Sequence, residues 1–134
     1  AQIARLGLGQ HVTLHGPKHD DALVPHFHDA HALVVPSSYE GFGIVYMEAA
    51  SFGLPAIAST AGAAGEIVAH GQSGFLVTPG DDAALASHLR RWRDDRALLA
   101  RMGQAARRRF DQHPTWTQSA QTIRDFLHTM VQPP

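Results

Sequence analysis

The stretch Ala32-Leu33-Val34-Val35-Pro36-Ser37-Ser38-Tyr39-Glu40-Gly41-Phe42-Gly43-Ile44-Val45-Tyr46-Met47-Glu48 sets two glutamates with seven residues between them, directly behind an apolar run closed by a proline. Ala49-Ala50-Ser51-Phe52-Gly53-Leu54-Pro55 follows, and then a second apolar run, Ala56-Ile57-Ala58. The order reads as strand, loop, short helix, strand. Glycines let a loop backbone approach a ligand closely, and the amides that open a helix point toward an anion. Carboxylates flank those amides here, which suits neutral hydroxyl groups on a ligand whose phosphates take the amides. A sugar joined to a diphosphate has both halves.

The ordered frame Pro36-Ser37, Glu40-Gly41-Phe42-Gly43, Glu48-Ala49 and Gly53 with Pro55 resembles the retaining GT-B glycosyltransferases of the group 1 class, glycosyltransferase family four. Gly65-Glu66-Ile67-Val68, Gly71-Gln72-Ser73-Gly74-Phe75-Leu76-Val77 and Pro79-Gly80-Asp81 continue the resemblance over nearly the whole chain. It implies the distal part of the C-terminal, donor-binding domain, with residues 1–134 forming one partial domain. The implied reaction moves a sugar from a nucleotide-diphosphate sugar to an acceptor with retained configuration, as a hexosyltransferase does. Neither a metal nor another cofactor is implied.

Site roles follow residue by residue from the resemblance. Glu40 contacts the donor-sugar hydroxyls and is the catalytic candidate. Gly41, Phe42 and Gly43 supply nearby backbone, and the Ile44 and Val45 amides face the diphosphate. Glu48, about one helical turn on, accepts from the ribose hydroxyls. Glu66 has two readings: a site carboxylate, or an acidic residue favoured in a first helical turn. The phosphate-binding Arg and Lys of the family lie in a Gly-Arg…Lys-Gly segment not found here. The sole lysine is Lys18, and Arg5 is the only arginine before Arg90. Turnover by this chain alone is therefore not expected, and an N-terminal acceptor domain is the missing partner, whether the chain is a fragment or a remnant. The alternative is a non-catalytic nucleotide-sugar-binding or assembly module. A sugar-nucleotide epimerase of the same architecture stands third.

Composition sets the outer bounds. One domain with a true core suits 134 residues, 44% hydrophobic and 17% charged. A net charge of −1 gives no reason to expect nucleic acid, and without cysteine neither disulfides nor thiolate metal sites can form. No apolar run reaches a membrane span, so a cytoplasmic domain is expected, peripheral at most to the inner membrane face. His26-Phe27-His28-Asp29-Ala30-His31 offers three imidazoles and a carboxylate. Helical positions two apart do not share a face, whereas His28 and His31 could, and the resemblance gives this segment no ligand duty. Arg107-Arg108-Arg109 reads as a solvated helix face, with anionic lipid as the sharper alternative.

Short apolar runs alternating with helical patterns predict an α/β fold, a Rossmann-like parallel sheet of about four strands with flanking helices and a helical tail. Strands are predicted at about 12–15, 32–35, 56–59 and 74–77. Helices are predicted near 2–8, from an Asp20 or Asp21 cap through about 28, and from Gly43 or Ile44 to Gly53. Three more follow: an Asp81-Asp82 cap leads Leu85, Leu89 and Trp92; Leu99, Met102, Ala106 and Phe110 repeat the spacing; Trp116, Ala120, Ile123 and Leu127 draw the last, capped by Thr115. That spacing predicts core packing for these aromatics and for Met102. The family's strand order separates its third and fourth strands by two others. An open edge and an uncovered last helix therefore predict self-association of the isolated chain.

Overall fold

The computed structural model describes residues 2–39 and 41–131. Helix α1 (Gln2–Arg5) and a 3-10 turn (Asp20–Ala22) precede α2 (Val24–Asp29), β1 (Leu33–Val35) and α3 (Ile44–Ser51). Then come β2 (Ala56–Ser59), α4 (Ala64–Ile67), β3 (Gly74–Val77), α5 (Asp82–Asp94), α6 (Arg96–Gln112) and α7 (Trp116–Val131). The strands form one parallel sheet in the order β1-β2-β3, with Leu33 opposite Ala56 and Ala56 opposite Gly74.

Alternation along the strands builds a core on each face. Ile57, Phe75 and Val77 point to one side, where Trp92 of α5 and Leu99 and Met102 of α6 cover them. Ala56 and Ala58 point to the other, against Tyr46, Ala64 and Val68, with Leu33 and Val35 of β1 alongside. Every residue of β2 is buried, as befits a central strand covered on both faces. Alanines on its second face let α3 and α4 lie close. The indole of Trp92 donates to the Met102 sulfur at 3.2 Å, so the core reading of both side chains is borne out.

Helix ends follow local chemistry. Asp81 caps α5 by accepting from the Ala84 amide at 2.9 Å, and Asp95 caps α6 by accepting from Leu98 at 2.7 Å. Thr115 and Gln118 form a reciprocal capping box at the start of α7, the Thr115 hydroxyl accepting from one amide and the Gln118 carboxamide from the other. Gly53, with φ of 72°, ends α3 as expected. Helix α2 departs from expectation, beginning after Leu23 without a side-chain cap and with Pro25 in its first turn.

Two predictions are corrected. Residues 12–15 form no strand and Leu14 is 77% exposed, so the sheet has three strands among the described residues rather than about four. A strand needs a hydrogen-bonded neighbour, and the two strands that the resemblance places between this segment and β1 are not among the described residues. The stripe of α7 is also not core: none of its residues is buried, and Trp116 is 93% exposed. Local capping and spacing make the helix, but among the described residues no other element buries its apolar side.

Helix α6 does double duty. Its first half closes the Ile57–Phe75 core, while further along Gly103 lies against the carbonyl of Gly53, where an added Cβ would collide with backbone. Gly103→Ala should therefore cost about 1–3 kcal/mol in urea unfolding, because backbone and not a pliable side chain must yield. Gly9→Ala, which meets open space, should change stability by less than about 0.5 kcal/mol.

His88 stacks on Phe75 at 4.0 Å between ring centres. Burial, then the charges of His70 and Arg91, hold its imidazole below the usual 6.5, against a smaller opposing pull from Asp81. The unfolded chain thus takes up this proton first. The contribution to stability is complete above pH 6.5 and is lost as pH falls from there through the lowered folded value. Thermal melts between pH 7 and 5 should show a steeper loss for the wild type than for His88→Phe, which keeps the stack without the titration.

Candidate functional site

Parallel α/β sheets present ligands with the loops that leave the carboxyl ends of their strands. Residues 36–43 leave β1 and enter α3; residues 60–63 leave β2 and enter α4. Both loops therefore open on one rim. Glu40 lies outside the described residues. Phe42 is 57% exposed and Ile44 62% exposed, so the rim has apolar side chains facing outward.

Gly43 is the N-cap of α3, in the left-handed region at φ 81° and with no side-chain cap. A Cβ there would stand 2.7 Å from the Tyr46 ring, so both the dihedral and the space require glycine. Amides in a first helical turn have no intrahelical acceptor, and Gly43 brings no capping side chain to those of Ile44 and Val45. Val45 itself is half-buried against the Tyr46–Ala58 core. Tyr46, Ala49 and Ala50 mark the buried side of α3. Ile44 and Glu48, four apart, share the exposed side, so Glu48 stands one turn behind the helix entrance on the solvent face. Gly41 is exposed on the same loop.

Glu66 is exposed in the first turn of α4. It borders a cavity of about 40 Å³ between α3, α4 and α6, room for a water molecule and not for a sugar nucleotide. A larger depression of about 250 Å³, bordered by His31, Pro55, Arg96 and Leu99, sits at the opposite, amino-terminal ends of β1 and β2. The candidate site is thus an open rim and not the larger of these two hollows.

Residues outside the sequence motifs shape this rim. The Tyr46 hydroxyl donates to the Val35 carbonyl at 2.9 Å, tying the end of β1 to the first turn of α3. Ser59, fully buried, accepts from the Ala61 amide at 2.9 Å and bends the loop that leaves β2. A signal for Tyr46 exists in the sequence, since 46, 49 and 50 fall on one side of a helix; nothing local marks Ser59. The arginine cluster is corrected in part. Arg107 donates to the Ser51 carbonyl at 2.7 Å and pairs with Asp111, while Arg109 donates to the carbonyls of Glu66 and Ile67, both at 2.9 Å. These guanidiniums close the carboxyl ends of α3 and α4, where unpaired carbonyls favour a cation.

The histidines of α2 are engaged in ring contacts, His28 edge-on to Phe52 at 4.9 Å and His26 beside His15 at 4.3 Å. Among the described residues no three His, Asp or Glu side chains converge to hold a metal ion.

A protein-family profile described as Glycosyl transferases group 1 matches residues 1–109. D-inositol 3-phosphate glycosyltransferase of Streptomyces avermitilis is 45% identical over 105 residues, 78% of this chain and 23% of that protein. Glycogen synthase of Mycobacterium tuberculosis is 44% identical over 89 residues, 66% of this chain and 22% of that protein. Among solved structures, Anabaena HepE in complex with UDP matches with a TM-score of 0.84 at 32% identity, over 96% of this chain and 35% of that one. HepE has also been solved with UDP-glucose. Sucrose-phosphate synthase of Thermosynechococcus elongatus gives a TM-score of 0.84 at 32% identity, over 96% of this chain and 33% of that one. The chain spans about a quarter of the curated relatives it matches.

The arginine geometry can be checked by substitution. Arg109→Ala removes two bonds to helix-end carbonyls and should lower stability by about 1–3 kcal/mol in urea. Arg108→Ala, at an exposed position, should stay within about 0.5 kcal/mol of the wild type.

Proposed function

Because the chain belongs to the group 1 glycosyl transferases and shares the GT-B fold of its structural neighbours, we propose that residues 1–134 are one partial domain, the distal part of a donor-binding domain. It takes the sugar and ribose of a nucleotide-diphosphate sugar at the carboxyl rim of its sheet. The observation that carries this reading is the uncapped, left-handed entrance to α3 at Gly43, with Glu48 one turn behind it. The UDP and UDP-glucose complexes of HepE support the ligand class.

In this reading the whole protein is a glycosyltransferase that transfers a hexose with retention. Glu40 orients the sugar hydroxyls. The backbone of Gly41, Phe42 and Gly43 and the amides of Ile44 and Val45 meet the diphosphate, and Glu48 accepts from the ribose. As the bond between sugar and phosphate breaks, negative charge gathers on the leaving diphosphate. Oriented amides stabilise that charge without reorganising. Residues 19–89 contain no lysine or arginine, so the cations that complete the stabilisation come from elsewhere in the protein, and no metal is required. That same lack of local cations favours, second, a module that binds the donor without turnover. Glu66 serves as a rim carboxylate at the head of α4.

The exposed stripe of α7 and the half-covered edge strand β1 support contact with an acceptor domain in the whole protein and self-association of the chain alone. No helix among the described residues is long and apolar enough to cross a membrane. We place the protein in the cytoplasm, with Arg108 available for contact with an anionic inner membrane face.

Calorimetric titration with UDP tests the site. Glu48→Ala should cost about 1.5–3 kcal/mol, or roughly 10- to 150-fold in Kd, by removing a charged acceptor from the ribose. Identical isotherms for the two proteins would remove Glu48 from the site. In the full-length protein, Glu40→Ala should reduce sugar transfer far more than affinity for the bare nucleotide, since its partner is the sugar. Equal losses would put Glu40 at the nucleotide end.

A further inference from the structure

We propose that Tyr46 is a positioning residue that clamps the base of the loop 36–43 and so holds that loop and the first turn of α3 in the arrangement that takes the nucleotide; the proposal rests on the donor-binding reading above. One side chain reaches both ends of the loop. Its hydroxyl donates to the carbonyl of Val35, the last residue of β1, at 2.9 Å and across eleven positions of sequence. Its ring fills the space beside Gly43, the residue that ends the loop, so closely that a Cβ at Gly43 would stand 2.7 Å away. Tyr46 is only 1% exposed and packs on Ala56, Ala58 and Ala64, so the clamp is rooted in the core of the sheet.

The described outer residues of the loop are mostly turned to solvent. Tyr39 is 78% exposed and Phe42 57% exposed, which leaves little buried apolar area to hold it. Pro36 contributes no amide to any ladder. The placement of the loop therefore depends on its base, and the base is Tyr46. A loop held before the ligand arrives spares the ordering cost on binding. Tyr46→Phe keeps the ring beside Gly43 and removes the hydroxyl that bonds to β1.

The test compares Tyr46→Phe with Trp92→Phe in the full-length protein that carries this chain. Trp92→Phe also removes one buried donor, the indole bond to Met102, but on the other face of the sheet. Both variants are studied well below their unfolding temperatures by UDP titration and by hydrogen-exchange mass spectrometry. We expect Tyr46→Phe to weaken UDP binding by roughly 3- to 10-fold and to speed exchange in peptides spanning 36–47, with 56–59 and 74–77 unchanged. Trp92→Phe should lower Tm without either effect. If Tyr46→Phe lowers Tm and leaves both UDP affinity and loop exchange as in the wild type, its role is packing alone and the proposal falls. Faster loop exchange with unchanged UDP affinity also overturns it, since the clamp would then not serve the nucleotide. Should the wild-type protein take up no UDP, the donor reading fails for that nucleotide. The exchange data then judge the clamp alone, local acceleration supporting it and unchanged exchange sinking it.

Discussion

Helix α6 lies backbone to backbone against the end of α3, with the bare Cα of Gly103 facing the Gly53 carbonyl, and the placement of the rim follows from that contact. The approach is close enough for Arg107 to reach Ser51 and for Arg109 to reach Glu66 and Ile67. One helix thus grips the carboxyl ends of both helices whose amino ends open on the candidate site. The same helix seals the other face of the sheet through Leu99 and Met102. Site and core share a scaffold, and neither can shift without the other.

Polar groups inside the chain are spent on shaping loops. Tyr46 ties β1 to α3, Ser59 bends the loop after β2, and Ser73 accepts from the Ala69 amide at 3.0 Å ahead of β3. The His70 Nδ1 accepts from the Leu76 amide at 3.0 Å, beside the stack of His88 on Phe75. No buried side-chain nitrogen or oxygen among the described residues lacks a partner. In a small sheet whose central strand is covered on both faces, an unpaired polar atom would cost as much as a core methyl group gains, so each is used. The rim, by contrast, keeps its polar groups and several apolar side chains turned outward.

The loops of the rim lie within residues 19–89, which carry no lysine or arginine, and Arg107 and Arg109 reach the far ends of α3 and α4 from α6. The exposed stripe of α7 tells the same story by a different route: a capped, regular, amphipathic helix with no cover within the described residues. Both features fit a chain that spans about a quarter of its curated relatives.

The sequence by itself determined whatever depends on near neighbours. Strand positions at 56–59 and 74–77, the helix opened by Gly43 and stopped at Gly53, and the Asp81 and Thr115 caps were all legible, because periodicity, left-handed glycine and capping act within a few residues. The Glu-Gly-Phe-Gly frame showed the family for the same reason. The segment 12–15 alternates like a strand and α7 carries a stripe like a core helix, yet neither finds a partner among the described residues, since alternation states a preference and burial needs a second surface. Tertiary structure alone decided that Arg107 and Arg109 hold helix ends, that Gly103 must be bare, and that Tyr46 joins residues eleven positions apart. Those are contacts between segments distant in sequence, and only the packed sheet brings them within reach.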